Sequence, residues 1–220
     1  MKFIELKGDT WQKKLTYFQD YYLGWTLLII GVIILGLYFL YSTVIASKDV
    51  ILSVVIAAQE PVDTQQMTEE LNGVIELGER ETADCFQVSS QQNANAAKMA
   101  ILTRFGAGDI DIFIAEREDL TGYAQTGFMQ DLSKWLPPRI YEKLEKEGAL
   151  MKAQIIEYDQ VSFEELSRGE ELPYAIEMKA LPGLAEYVSG MKDPVLGIAA
   201  SPDEPDEEIA ALLFFMQEDN

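Results

Sequence analysis

The sequence predicts an α/β protein: a single doubly wound, mostly parallel sheet, preceded by one transmembrane helix. Three observations carry this expectation. An uncharged apolar run extends from Leu23 to Tyr41. From Val50 onward, strand-like apolar runs alternate with segments of helical period. The 173 residues from 48 to 220 suffice for one ordinary domain and are too few for two complete α/β lobes.

No charged residue lies between Asp20 and Lys48, and the 19 residues from Leu23 to Tyr41 are nearly all apolar. As a helix they span about 28 Å, one hydrocarbon core. A cleaved signal peptide is the competing reading, with Ala46-Ser47 as the cleavage candidate; its apolar region is expected to be shorter and nearer residue 1. Lys2, Lys7, Lys13 and Lys14 precede the run and only Lys48 follows it closely, which places the amino terminus inside. The expected division is a cytoplasmic segment 1–20, a span 21–47 in contact with the lipid bilayer, and an extracytoplasmic domain 48–220. Trp11, Leu15, Phe18 and Tyr22 recur at helical spacing ahead of the span, with Asp9 and Gln12 placed to cap the helix start. That stripe serves either as a juxtamembrane support or as a docking surface for a membrane partner.

The domain is expected to begin with a buried strand over Val50 to Ala57. Asp63 or Thr64 caps a helix with Met67, Leu71, Val74 and Ile75 inward, ending near Gly78. Cys85 to Ser89 forms a second strand, and Asn93 opens an alanine-rich helix closed by Gly106. Ile110 to Ala115 forms a third strand, followed by a helix through Leu120, Tyr123 and Ala124 to Gly127, then a polar helical stretch from Asp131 to Gly148. Ala153 to Tyr158 and Leu172 to Met178 pair as a hairpin across an acidic loop around Arg168 to Glu171. A last β-α unit joins a strand over Val195 to Ala200 to a helix that starts at Pro205, with Asp206, Glu207 and Glu208 at its positive end. Its core stripe is Ile209, Leu212, Leu213 and Met216.

Composition narrows the function classes. Seventeen basic against 37 acidic residues give a net charge of −20, and residues 48–220 alone carry 13 and 34, a net −21. A surface that acidic excludes nucleic acid and is repelled by anionic headgroups. The chain has no histidine, which removes imidazole bases and most zinc sites, and its single Cys85 makes no intrachain disulfide. The expectation is a non-enzyme without cofactor or metal.

Two stretches carry a family likeness: Gly106-Ala107-Gly108-Asp109-Ile110-Asp111-Ile112-Phe113-Ile114 with the later Gly127…Asp131-Leu132-Ser133, and Val195-Leu196-Gly197-Ile198 leading into Glu207 to Met216. Over 50–136 and 172–217 the chain resembles the first lobe of extracellular solute-binding proteins of ABC importers. The resemblance implies a parallel β-α lobe that contributes one side of a ligand cleft. Members of that family close two lobes over the ligand and are released or lipid-anchored. This chain looks like one lobe on a transmembrane helix.

Ligands of open α/β sheets lie beyond the carboxyl ends of the strands. The candidate binding residues are therefore Gln59 and Glu60, Ser89, Ser90 and Gln91 before a helix start, and Glu116 and Arg117 after the third strand. Asp109 is expected to serve its turn and Asp111 to stand on a strand face away from the core, so that Asp111→Lys is tolerated better than Ile112→Lys. Two functions remain open at this point. The domain binds a small ligand or docks a transporter-type partner, or it is a cell-surface scaffold that keeps the fold without a ligand site.

Overall fold

The computed structural model describes residues 11, 16, 18–19, 21–41, 48–78, 80–89, 94–158, 165–200 and 206–217. The chain divides into two compact units, Met1–Lys48 and Asp49–Asn220.

In the first unit, α1 runs over Leu23–Leu40, 18 residues with no buried side chain and a mean hydropathy of 2.4. Its length and composition suit a membrane span, and a helix so near the amino terminus also suits a signal sequence. Ahead of it the Tyr22 amide donates to the Phe18 carbonyl at 2.9 Å, and the two rings stack 6.3 Å apart. Trp11, Phe18 and Tyr22 are exposed, as an aromatic stripe requires. Leu15, Asp9 and Gln12 lie outside the described residues.

The second unit is one six-stranded sheet in the order β2-β1-β3-β6-β5-β4: β1 Asp49–Ala57, β2 Glu81–Val88, β3 Ile112–Glu116, β4 Leu150–Tyr158, β5 Glu165–Glu177 and β6 Pro194–Ile198. The α/β class holds, and the sheet is mixed. β1 is parallel to β2 and β3, whereas β6 is antiparallel to β3 and β5, and β4 is antiparallel to β5. The reason lies in the return path. Glu177 at the end of β5 pairs with Val195 at the start of β6, so the intervening chain leaves and re-enters at the same edge and makes no crossover. A central strand covered on both faces reads as a continuous apolar run in either direction, so composition does not reveal the sense of β6.

Alternation along the strands divides two cores. Val54, Ile56, Ile112, Ile114, Leu196 and Ile198 face one side, against α2 (Thr64–Val74), α6 (Pro138–Lys146), the short α7 (Pro182–Ala185) and α8 (Asp206–Phe215). Val55, Phe113, Ala115 and Val195 face the other, against α3 (Ala94–Ala107) and α4 (Arg117–Gln125). Phe113 anchors that second layer: its ring meets Phe105 and Tyr123 edge-on, each at 5.2 Å. Burying a side chain of that size stabilises by roughly 2–3 kcal/mol.

The helix boundaries follow local chemistry. Asp63 caps α2, its carboxylate accepting from the Gln66 amide at 3.0 Å, and Met67, Leu71 and Ile75 are buried; Val74, expected inward, is exposed because it ends the helix on the solvent side. α3 closes two residues later than expected, at Gly108 (φ +75°), whose amide and that of Asp109 bond back to the Phe105 and Arg104 carbonyls in a Schellman cap. Gly127 (φ +82°) closes α4 in the same way. The stretch after Asp131 is two helices, α5 (Leu132–Trp135) and α6, because the ring of Pro138 holds Pro137 extended. Arg168 to Glu171, expected as a loop, lie within β5 and pair with β4. α8 buries Ala211, Leu212 and Phe215, with Glu208, and Met216 just beyond it is buried, while Ile209 and Leu213 are only half-buried; its inward face is rotated from the expected stripe.

Asp111 departs most from expectation. It is 8% exposed, its carboxylate accepts from the Ser53 amide at 2.7 Å, and its carbonyl accepts from the Ala199 amide. It joins β1, β3 and β6 where the ladder starts, and is no solvent-facing strand residue.

Candidate functional site

In the order β2-β1-β3 the chain leaves β1 towards β2 on one side and leaves β3 towards β4 on the other, so the switch point of this sheet lies between the carboxyl ends of β1 and β3. The residues Tyr187 to Asp193, just before β6, run along that edge. The Tyr187 hydroxyl donates to Glu70 of α2 at 2.5 Å. A Cβ built on Gly190 would stand 2.6 Å from a Glu60 carboxylate oxygen and 3.2 Å from the Glu60 Cβ, so only glycine passes that close without displacing it. At the end of β3 the two Glu116 carboxylate oxygens accept from the Lys192 and Asp193 amides at 2.9 and 2.8 Å.

Arg117 completes the fastening. Its Nε donates to Asp193 Oδ2 at 2.6 Å and its Nη2 to Glu177 Oε1 at 3.1 Å, while Lys179 Nζ meets Glu177 Oε2 at 2.8 Å and the Gly148 carbonyl at 2.5 Å. The Asp193 carboxyl is held below its ordinary range chiefly by the Arg117 hydrogen bond, and that of Glu177 chiefly by Lys179 and then by Arg117. The Tyr187 bond lowers Glu70 in the same sense. The loop after β1 is held from beneath: the Gln87 side chain donates to the Ala58 and Glu60 carbonyls and accepts from the Val62 amide.

The expected site residues are thus distributed along one edge. Glu60 touches Gly190 and Glu116 and Arg117 grip Lys192 and Asp193, so these three meet different parts of one segment. Gln59 and Ser89 are exposed, and Ser90 and Gln91 lie outside the described residues. What sequence reasoning missed is the segment itself. Its contributions are the Lys192 and Asp193 amides, the Tyr187 hydroxyl, the Asp193 carboxylate and a missing side chain at Gly190, which together form no sequence motif.

A cavity of about 530 Å³ opens at the opposite end, near the start of β1. Ser53, Asp84, Asp109, Asp111, Glu207 and Phe86 contribute to its wall, with the Arg104 guanidinium 3.9 Å above the Phe86 ring. Among the described residues no group of three or more histidine, cysteine, aspartate or glutamate side chains is arranged to hold a metal ion. The Cys85 thiol is buried and pushed up to about 11 by desolvation, which keeps it protonated and unreactive.

No protein-family model matches the chain, and no curated protein and no solved structure matches it.

Proposed function

We propose that the chain is a non-enzymatic interaction module, anchored by α1 in a bilayer with its amino terminus inside and residues 48–220 outside. The observation that carries this reading is the occupied switch point. The edge where an open α/β lobe takes its ligand is crossed by the protein's own residues 187–193, fastened by Glu70, Glu116 and Arg117. A lobe with that edge closed keeps the architecture of a solute-binding lobe and presents its outer surfaces to a partner, of which a membrane transporter is one kind. The uncharged, wholly unburied α1 and the four lysines before it support the anchoring and its orientation.

The cavity at the start of β1 favours a second reading, in which the lobe binds a small solute at its other end. A thermal-shift screen of the full chain in mild detergent, against amino acids, short peptides, sugars and oligosaccharides, separates the two. The interaction-module reading predicts no dose-dependent rise in melting temperature. A reproducible rise with one solute class would replace it with the solute-binding reading.

A further inference from the structure

The cavity at the start of β1 has a wall dominated by one sign of charge. Five carboxylates contribute to it against one guanidinium, and they come from three elements: Asp84 from β2, Asp109 and Asp111 from the turn that enters β3, and Glu207 and Glu208 from the first turn of α8. Asp111 and Glu208 are buried, whereas Asp84 and Asp109 are exposed and Glu207 is half-buried. The one cation of the wall does not neutralise it. The Arg104 guanidinium lies 3.9 Å over the Phe86 ring, and among the described residues neither it nor Asp84, Asp109 or Glu207 makes an ion pair.

A cleft lined by one sign focuses its field on an entering counter-ion, and about 530 Å³ is the size of a small-molecule site. The arrangement also selects among cations. Among the described residues no three acidic side chains are arranged to hold one metal ion, so the negative charge is spread around the wall and is not gathered at a point. Hydrocarbon separates the charges: β1 stands between β2 and β3, and its Val50, 52% exposed, and Ile51 line the cavity between Asp84 and Asp109. We propose that this cavity binds a linear polyamine, its separated ammonium groups meeting Asp84, Asp109 and Glu207 and its methylenes covering Val50 and Ile51. The proposal goes beyond the interaction-module reading: the site lies at the end of the sheet away from residues 187–193, and its ligand class is outside the solutes screened for that reading.

The test is isothermal titration of the full chain in mild detergent with spermidine, butylamine and magnesium chloride, at one ionic strength and neutral pH. The proposal predicts saturable binding of one spermidine, at least tenfold tighter than butylamine or magnesium. D109N/E207Q is expected to weaken it at least tenfold and D84N at least threefold, with unchanged circular dichroism. E170Q/E171Q removes as much charge as the first variant from exposed positions on β5 and is expected to leave the affinity within twofold. Equal loss in E170Q/E171Q, or magnesium binding as tightly as spermidine, overturns the proposal in favour of diffuse attraction by the net −20. Butylamine binding as tightly as spermidine overturns the requirement for separated charges, and no saturable heat with spermidine overturns the site. A rise in melting temperature with an amino acid, a peptide or a sugar is read separately: it removes the interaction-module reading, whereas absent spermidine binding in a chain that none of those solutes stabilises removes only this site.

Discussion

Ser53 and Asp111 hold each other by a reciprocal pair of bonds: the Ser53 amide donates to the Asp111 carboxylate at 2.7 Å, and the Asp111 amide donates to the Ser53 carbonyl at 3.0 Å. The carboxylate extends the β1–β3 ladder one step beyond the first paired residues, Val54 and Ile112.

Removing that carboxylate leaves the Ser53 amide buried without its acceptor. Asp111→Ala is expected to cost about 1.5–3 kcal/mol, and Asp111→Asn less, since an amide oxygen still accepts. Asp109→Ala, at an exposed position, is expected to be near neutral. Urea midpoints of the three variants check this. Asp111→Lys is expected to fail as Ile112→Lys does, because both positions are buried.

Gly197 lies within β6 with no room for a side chain: a Cβ there would stand 2.8 Å from the Met129 sulfur and 3.1 Å from Leu120 Cδ1. Gly197→Ala is expected to destabilise by about 1–3 kcal/mol through overpacking. Adding Met129→Ala should recover part of that loss in a double-mutant cycle, because it frees the space the methyl needs. Strict additivity of the two changes would contradict the packing described.

The fastening of residues 187–193 sets an acid limit. Asp193 and Glu177 both have folded-state values below their ordinary ones, so their contribution is fully present above the ordinary carboxylate range and is lost as pH falls through it and below. The melting temperature is therefore expected to be flat from pH 7 to about 5 and to decline below. Arg117→Ala should make that acid decline shallower, with a modest loss at neutral pH, since Arg117 and Asp193 are both partly exposed. An unchanged slope would show that Arg117 is not what lowers these groups.

Buried and protonated, Cys85 is expected to resist thiol reagents at pH 8 in the folded protein and to react on unfolding. It is therefore a probe of unfolding and cannot report topology. Orientation is checked with Ser47→Cys in a Cys85→Ala background and an impermeant maleimide on intact cells. Labelling before lysis is expected, and labelling only after lysis would reverse the assigned orientation.

Local chemistry made much of this fold readable. Asp63 and Gly127 impose a cap and a stop through their own geometry, and each does so in the structure, whereas the break at Pro137-Pro138 was read as part of one continuous helical stretch. The sense of β6 was not readable, because it depends on where the chain re-enters the sheet, and a doubly covered strand has the same composition either way. Asp111 was misplaced because alternation assigns faces and does not show that the start of a strand is covered by its neighbours. Glu60, Glu116 and Arg117 lie along one edge of the sheet, but what they meet there, the Lys192 and Asp193 amides, the Asp193 carboxylate and Gly190, lies more than 70 residues away in sequence.

The central claim is that residues 187–193 close the switch point in the resting protein. Native-state hydrogen exchange at the Lys192 and Asp193 amides tests it most directly. The account predicts that both, bonded to Glu116, open with a free energy close to that of the β3 amides, and that Glu116→Ala releases them while β3 stays protected. Exchange of these two amides at the rate of an exposed loop in the unmodified protein would contradict the account, leaving the edge between β1 and β3 open to a ligand.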